Sequence, residues 1–230
     1  GDHRDLHLSI RRQRQMCIRD RFYTMYLLTF SGLLGMVITG DVFNLFVFLE
    51  ISSLSTYVMI SLGKSRRAMT AAFRYLVLGT VGATFYVIGV GMLYQMTGTL
   101  NMADLADKLP AVTETRTILV ALGFLTVGIG LKLGLFPVHL WLPNAYTYAP
   151  SVVTAFLAAT ATKVAVYALL RIYFTVFGVE AIEAYPLDEA LLLLGLAAIV
   201  SMSAVAIFQT DVKRLLAYSS VAQLGYMIIG

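Results

Sequence analysis

Apolar residues run along this chain in blocks the length of a membrane-crossing helix, parted by short breaks that are polar or carry Pro and Gly. A transmembrane helix needs about 20 predominantly apolar residues. Seven stretches fit that pattern: 22–39, 42–62, 72–95, 117–136, 151–174, 190–208 and 215–230. The brevity of the breaks predicts one compact bundle without a soluble domain. A membrane β-barrel would demand alternation at every second position over segments of about ten residues. Stretches such as LLLLGLAAIVSMSAVAIF at 191–208 show none. The predicted fold is therefore all-α, a polytopic transmembrane helix bundle, and no internal repeat is visible within this length.

Composition sharpens the class. Of 230 residues, 59% are hydrophobic and 13% charged, with a mean hydropathy of +0.79. Soluble domains carry about a quarter charged residues, so a water-soluble globule and a disordered chain are both excluded. One Cys excludes a disulfide scaffold and a Cys-rich zinc or iron–sulfur centre. The net charge of +4 looks like a nucleic-acid signal, but its distribution argues otherwise. Residues 1–21 hold six Arg and three Asp, while the remaining 209 residues carry 11 basic and 10 acidic side chains. The body is nearly neutral, its medium is the lipid bilayer, and no nucleic-acid partner is expected.

The segment 1–21, GDHRDLHLSIRRQRQMCIRDR, has neither an apolar run nor a cleavage site of the secretory kind. It reads as a non-native or disordered basic segment, its RQRQMCIRDR resembling translated adapter sequence. A cytoplasmic basic flank of the first span is the other reading. His3 and Cys17 are given no functional weight. The chain also stops at Gly230 inside an apolar run, and the sequence is read as a fragment, with the transmembrane core at 22–230.

Loop charges predict the orientation, because Lys and Arg concentrate in cytoplasmic loops. The segment 64–74 holds Lys64, Arg66, Arg67 and Arg74 and no acid. The 96–116 loop, with Asp104, Asp107, Lys108, Glu114 and Arg116, is net −1, and the 176–189 loop has four acids and no base. Asp211, Lys213 and Arg214 return the sign to +1. The alternation is that of a seven-span meander with 64–74 inside. Lys213 and Arg214 are read as topology anchors, with gating residues as the alternative.

Four ionisable groups remain inside the apolar stretches: Glu50, Lys132, His139 and Lys163. At a rise of 1.5 Å per residue, Glu50 lies about 12 Å beyond Val42 and Lys163 about 18 Å beyond Ser151. Both positions are near the middle of a hydrocarbon layer about 30 Å thick. A charge there costs at least about 2.5–3.5 kcal/mol on insertion scales and marks ion or proton paths. The structural alternatives are a simple helix-pairing ion pair for Glu50, snorkelling for the lysines and a hydroxyl-satisfied core histidine for His139. Around Lys132, Gly134, Pro137, Pro143 and Pro150 interrupt the stretch GLKLGLFPVHLWLPNAYTYAP. One discontinuous helix is expected, broken near Phe136–Pro137. Broken helices at membrane depth occur where backbone is buried or lines a wet cavity. His139 then stands two residues past the break, where a group of reference pKa about 6.5 can relay a proton.

Three ordered segments, GDVFNLFVFLEISS at 40–53, LKLGLFPVHLWLPNAYTYAPSVVTAFLAATATK at 131–163 and DVKRLLAYSSVAQLGYM at 211–227, resemble the antiporter-like family. That family groups the Mrp-type multisubunit cation/proton antiporters with the proton-pumping subunits of respiratory complex I. GDVFNLFVFLE and TGTLNMADLA at 97–106 look most like the Mrp D-type chain. The resemblance implies that Glu50 is the glutamate of the family's fifth helix and Lys132 the lysine of its broken seventh helix, paired with Glu50. It implies likewise that Lys163 is the lysine of the eighth helix, and that His139 belongs to the motif after the break. The spans would then be helices four to ten of about fourteen, with a second broken helix of the family outside them.

The expected function is proton conduction through a Glu50–Lys132–His139–Lys163 relay, in a subunit of a multisubunit Na⁺/proton antiporter. Other membrane subunits are its partners, protons and Na⁺ its cargo, and a bacterial cell membrane its location. Thr154, Thr160 and Thr162 are candidates for ordering water along the path, or for satisfying backbone. The chain is read as a transporter subunit and not an enzyme, without a cofactor: GIGLKLG at 128–134 lies in a span and is no dinucleotide loop. No carboxylate cluster resembles a hard-cation cage, so no sodium site is placed. The alternatives are a proton-translocating subunit of complex I or a related oxidoreductase, and a non-conducting membrane scaffold.

Overall fold

The computed structural model describes residues 2–113, 115–179 and 187–230, with side chains from Asp20 onward apart from Asp188. Its helices are α1 (Asp2–Ile38), α2 (Val42–Ser61), α3 (Arg66–Thr97), α4 (Met102–Lys108), α5 (Arg116–Leu133), α6 (Trp141–Tyr148), α7 (Ser151–Ala159), α8 (Ala161–Leu170), α9 (Leu187–Ile207) and α10 (Val212–Ile229). A wider π turn, Arg171–Phe177, continues α8. Among the described residues there is no strand, only an isolated bridge between Asp41 and Asn101, so the chain is all-helical. The acidic residues of 180–186 lie outside the described residues.

Among the described residues, six helical segments are long and apolar enough to cross a membrane: Asp20–Ile38, Val42–Ser61, Arg66–Thr97, Arg116–Leu133, Ser151–Phe177 and Glu189–Ile207. These coincide with six of the seven stretches in the sequence pattern. The seventh, at 215–230, is helical but begins at Val212. Lys213, Arg214 and Gln223 lower its hydropathy, and it is not among the six.

Small residues let the central helices approach closely, the usual basis of helix packing in lipid. A Cβ placed on Gly128 of α5 would fall 2.7 Å from the Tyr86 nitrogen of α3, and one on Gly82 would fall 2.9 Å from Leu131 Cβ. Buried hydroxyls tie neighbouring helices: Thr29 to Ser55 at 2.8 Å and Thr126 to Tyr173 at 2.6 Å.

The links sort into two faces. On one, the Asp41–Asn101 bridge joins the α1–α2 and α3–α4 connections, with Val42 N–H donating to Leu100 O at 3.0 Å and Met102 N–H to Gly40 O at 2.8 Å. Asp41 and Asn101 also cap α2 and α4, each side-chain oxygen accepting two backbone N–H groups. The Arg171 guanidinium reaches this face at the carbonyls of Val37 and Thr39. On the other, Arg67 lies 5.9 Å over the Tyr148 ring and Lys213 donates to Ala149 O at 3.0 Å. The two basic segments thus meet at the end of α6, as the loop-charge pattern requires.

Candidate functional site

The site is built where α5 stops. Gly134, at φ +79°, turns the chain out of the helix, and both Gly134 and Leu135 N–H close on Gly130 O at 2.9 Å. Residues 134–140 then cross without helix until α6 begins at Trp141. The discontinuous helix expected near Pro137 is observed, its first half ending at Leu133 and the Phe136–Pro137 peptide cis. Trp141 Nε1 donates to Leu131 O at 2.8 Å, satisfying one of the carbonyls that a helix end leaves open. Lys132 occupies the last turn of α5, where a cation complements the negative end of the helix dipole.

Lys132 is 6% exposed. Its ammonium donates to the Ser53 hydroxyl of α2 and lies 5.4 Å from the centroid of Tyr75 on α3. Tyr75 is stacked on Trp141, with rings 3.8 Å apart and 4° from parallel, and meets Tyr57 edge-on at 4.7 Å. Glu50, one turn before Ser53 on α2, interacts electrostatically with Lys132, but no ion pair joins them. Its Oε1 is buried with no hydrogen-bond partner. Among the described residues, Lys108 and Asp104 form the one salt bridge, at 2.9 Å in the α3–α5 connection. The pairing that the resemblance implied is thus replaced here by a lysine resting on a hydroxyl.

His139 is buried, stacked on Phe136 at 5.5 Å, and its Nδ1 has no partner. No described contact joins its ring to Lys132 or Lys163. Lys163 follows a discontinuity at Thr160 (φ −119°, ψ −55°) that separates α7 from α8. Its ammonium takes up the Ala158 carbonyl at 2.7 Å and reaches Thr162 Oγ1 at 3.4 Å. Thr154 and Thr160 satisfy backbone, donating to Tyr146 O at 2.8 Å and Phe156 O at 2.7 Å. Lys213 and Arg214 lie at the ends of α6 and α10, Arg214 reaching Asn144 Oδ1 at 3.5 Å.

Sequence reasoning missed the lining between these charges. The hydroxyls of Tyr57 and Tyr146 are buried without hydrogen-bond partners. Tyr57 stands near Ser53 and Tyr146 near Thr162, with Tyr75 between the two tyrosines. Buried tyrosine hydroxyls therefore lie near both lysine sites, Tyr57 beside Ser53 and Tyr146 beside Thr162. The available signal was the hydroxyl-rich SSLST at 52–56 inside a span. Beyond Tyr146 a cavity of about 260 Å³ opens between α6, α7 and α10, lined by Ser151, Thr154, Lys213 and Ser220 among others.

A helical membrane bundle with a half-helix ending on a buried lysine defines a polytopic membrane protein with an ionisable interior site. The chain belongs to the family described as NADH:quinone oxidoreductase/Mrp antiporter, transmembrane, which matches residues 39–230. It is 53% identical over 212 residues to NADH-quinone oxidoreductase subunit N of Desulforudis audaxviator, covering 91% of this chain and 41% of that protein. It is 35% identical over 209 residues to the D-type chain of the Na⁺/H⁺ antiporter of Alkalihalophilus pseudofirmus, covering 91% of this chain and 42% of that protein. Its fold matches a chain of the membrane-bound sulfane sulfur reductase, an archaeal respiratory membrane complex, with a TM-score of 0.83 and 36% identity over 89% of this chain and 42% of that one. The chain thus spans about two-fifths of the length of the relatives it matches. Of the first two relatives, the oxidoreductase chain shares more identity than the antiporter chain.

Proposed function

We propose that this chain is the proton-conducting core of a membrane subunit in a multisubunit respiratory complex, with Glu50, Lys132, His139 and Lys163 as its proton-carrying groups. The observation that supports the reading most directly is the Lys132 ammonium held on Ser53, one turn from Glu50 with its buried, unpartnered Oε1. A buried ammonium beside a carboxylate keeps its proton, whereas one left among neutral groups is driven to release it. Lys132 stands between those two arrangements. A small shift along α2 exchanges Ser53 for Glu50 and switches the lysine between holding and releasing. Lys163 is the acceptor further along, reached through His139, the hydroxyls of Tyr57, Tyr75 and Tyr146 and internal water.

The 53% identity to a chain of an NADH-quinone oxidoreductase favours a redox-driven complex, in which electron transfer in other chains supplies the energy. The 35% identity to a D-type antiporter chain, with the D-like motifs, supports the second reading, in which a sodium gradient in a bacterial cell membrane drives or receives the protons.

The test uses the full-length subunit in its complex, reconstituted in vesicles with a pH-sensitive dye. Glu50→Gln should abolish proton movement while the complex still assembles, and normal flux in that variant would sink the relay. Proton movement that follows NADH and quinone but ignores an imposed Na⁺ gradient selects the redox reading. The converse selects the antiporter.

A further inference from the structure

On the basic face, α3 carries Arg67, Thr70 and Arg74 at spacings of three and four, which places them on one side of the helix. With Asn144 and Tyr148 of α6 they line a polar cavity of about 210 Å³. Arg67 lies over the Tyr148 ring at 5.9 Å, and Arg214 of α10 closes on Asn144 at 3.5 Å with its own Nε buried and unpartnered. Among the described residues no carboxylate pairs with these guanidiniums, and the one salt bridge lies on the opposite face. Asp211 is occupied in capping α10, accepting the Arg214 backbone N–H at 3.2 Å. Arg74 also lines a second, apolar groove of about 340 Å³ that continues along α3 past Phe73, Val77 and Leu78 and is walled by Leu140 and Trp141. Phe73 and Leu140 are largely exposed there, at 64% and 70%.

We propose that this cavity and groove together bind one anionic phospholipid of the cytoplasmic leaflet, the phosphate held by Arg67 and Arg74 beside Arg214 and one acyl chain laid along Phe73, Val77 and Leu140. Charge complementarity decides the headgroup. Guanidiniums bind phosphate oxygens bidentately, and basic pockets between helices on the cytoplasmic side take anionic lipid heads. The groove decides between a lipid and a free anion: inorganic phosphate leaves about 340 Å³ of apolar groove unfilled, whereas a lipid covers head pocket and groove at once. Its direction fits as well, since the groove runs along α3 from Arg74 past Val77, away from the basic segment 64–74 and into the apolar stretch 72–95. The bound tail rests against Trp141, which stacks on Tyr75 beside Lys132. Occupancy therefore buttresses a wall of the buried lysine site.

The experiment takes the intact complex, washed in mild detergent and exchanged into nanodiscs of phosphatidylcholine with a minority of phosphatidylglycerol, and measures the retained lipid by mass spectrometry. Phosphatidylglycerol should be enriched over phosphatidylcholine by at least about tenfold, the factor that 1.4 kcal/mol supplies. Arg67→Gln with Arg74→Gln should remove most of that enrichment, and the Lys double variant should keep more of it. If the Gln pair fails to assemble, Leu140→Trp narrows the groove without touching the charges and should lower retention on its own. Equal retention of both lipids, enrichment unaffected by these variants, or displacement by inorganic phosphate would overturn the proposal. So would capture of a neighbouring subunit by a photo-crosslinker placed at Phe73.

Discussion

Lys132 rests on Ser53 and not on Glu50. That single hydrogen bond joins the last turn of a half-helix to the middle of α2, and it leaves Glu50 Oε1, one turn away, buried without a hydrogen-bond partner. Removing the hydroxyl takes away the buried ammonium's neutral acceptor. A charged group that loses a buried partner is destabilised by about 1–3 kcal/mol or more. Ser53→Ala should therefore drive Lys132 onto Glu50, slow proton flux and leave assembly intact. Dye-based flux in vesicles, set against the yield of assembled complex, checks this, and unchanged flux would count against a switching role.

Gly79 faces the Tyr57 hydroxyl so closely that an added Cβ would fall 2.0 Å from it. Gly79→Ala should lower the thermal midpoint of the purified complex, overpacking of this kind costing about 1–3 kcal/mol. Tyr57→Phe removes the clashing oxygen, so the double variant should recover most of the loss. Additive losses in the double variant would show that the two residues do not share this contact.

Trp141 combines a stacked ring with the hydrogen bond to Leu131 O. Trp141→Phe keeps an aromatic ring but orphans a buried carbonyl at the end of α5, a loss of about 1–3 kcal/mol. The expected outcome is lower thermal stability and faster amide exchange at 130–135, measured by hydrogen–deuterium exchange. Unaltered exchange there would mean that the stack alone holds the half-helix.

Lys163 caps the Ala158 carbonyl where α7 and α8 part. Lys163→Gln retains a donor for that carbonyl and loses the ionisable amine. It should stop proton flux while the helix-break region keeps its protease resistance, whereas Lys163→Leu should lose both. Full flux in the Gln variant would remove Lys163 from the path.

The periodicity of apolar residues is enough to find six spans, and Gly134 with Pro137 is enough to find the break, because both are local properties of backbone and solvent. The side on which the basic loops gather is legible for the same reason, since loop charge acts residue by residue. The partner of Lys132 is not legible. Whether an ammonium meets residue 50 or residue 53 depends on how two helices, their contacting residues 79 positions apart, slide against each other. Glycine contacts such as Gly82 with Leu131 hold α5 against α3, which in turn packs on α2. The stack of Tyr75 on Trp141 has the same origin. His139 shows a further limit: its position after the break follows from the sequence, but the stacking of its ring on Phe136 does not. The last helix escapes a plain reading because its apolar second half masks Lys213 and Arg214 at its start.

The bridge between Asp41 and Asn101 gives α2 the mechanics of a cantilever. Its outer end is clamped by that bridge, by its Asp41 cap and by Tyr86, whose hydroxyl holds Val42 O at 3.0 Å. Just past its far tip, Gly63 meets the end of α6, where a Cβ would lie 2.5 Å from Tyr148 O. In a beam held this way, displacement grows with distance from the clamp. A displacement of the tip would carry Ser53, about 16 Å from Val42, further than Glu50, about 12 Å away. A push from α6 on the tip would thus draw Ser53 off Lys132 by more than it moved Glu50, converting a bend at the basic rim into a change of the lysine's neighbour.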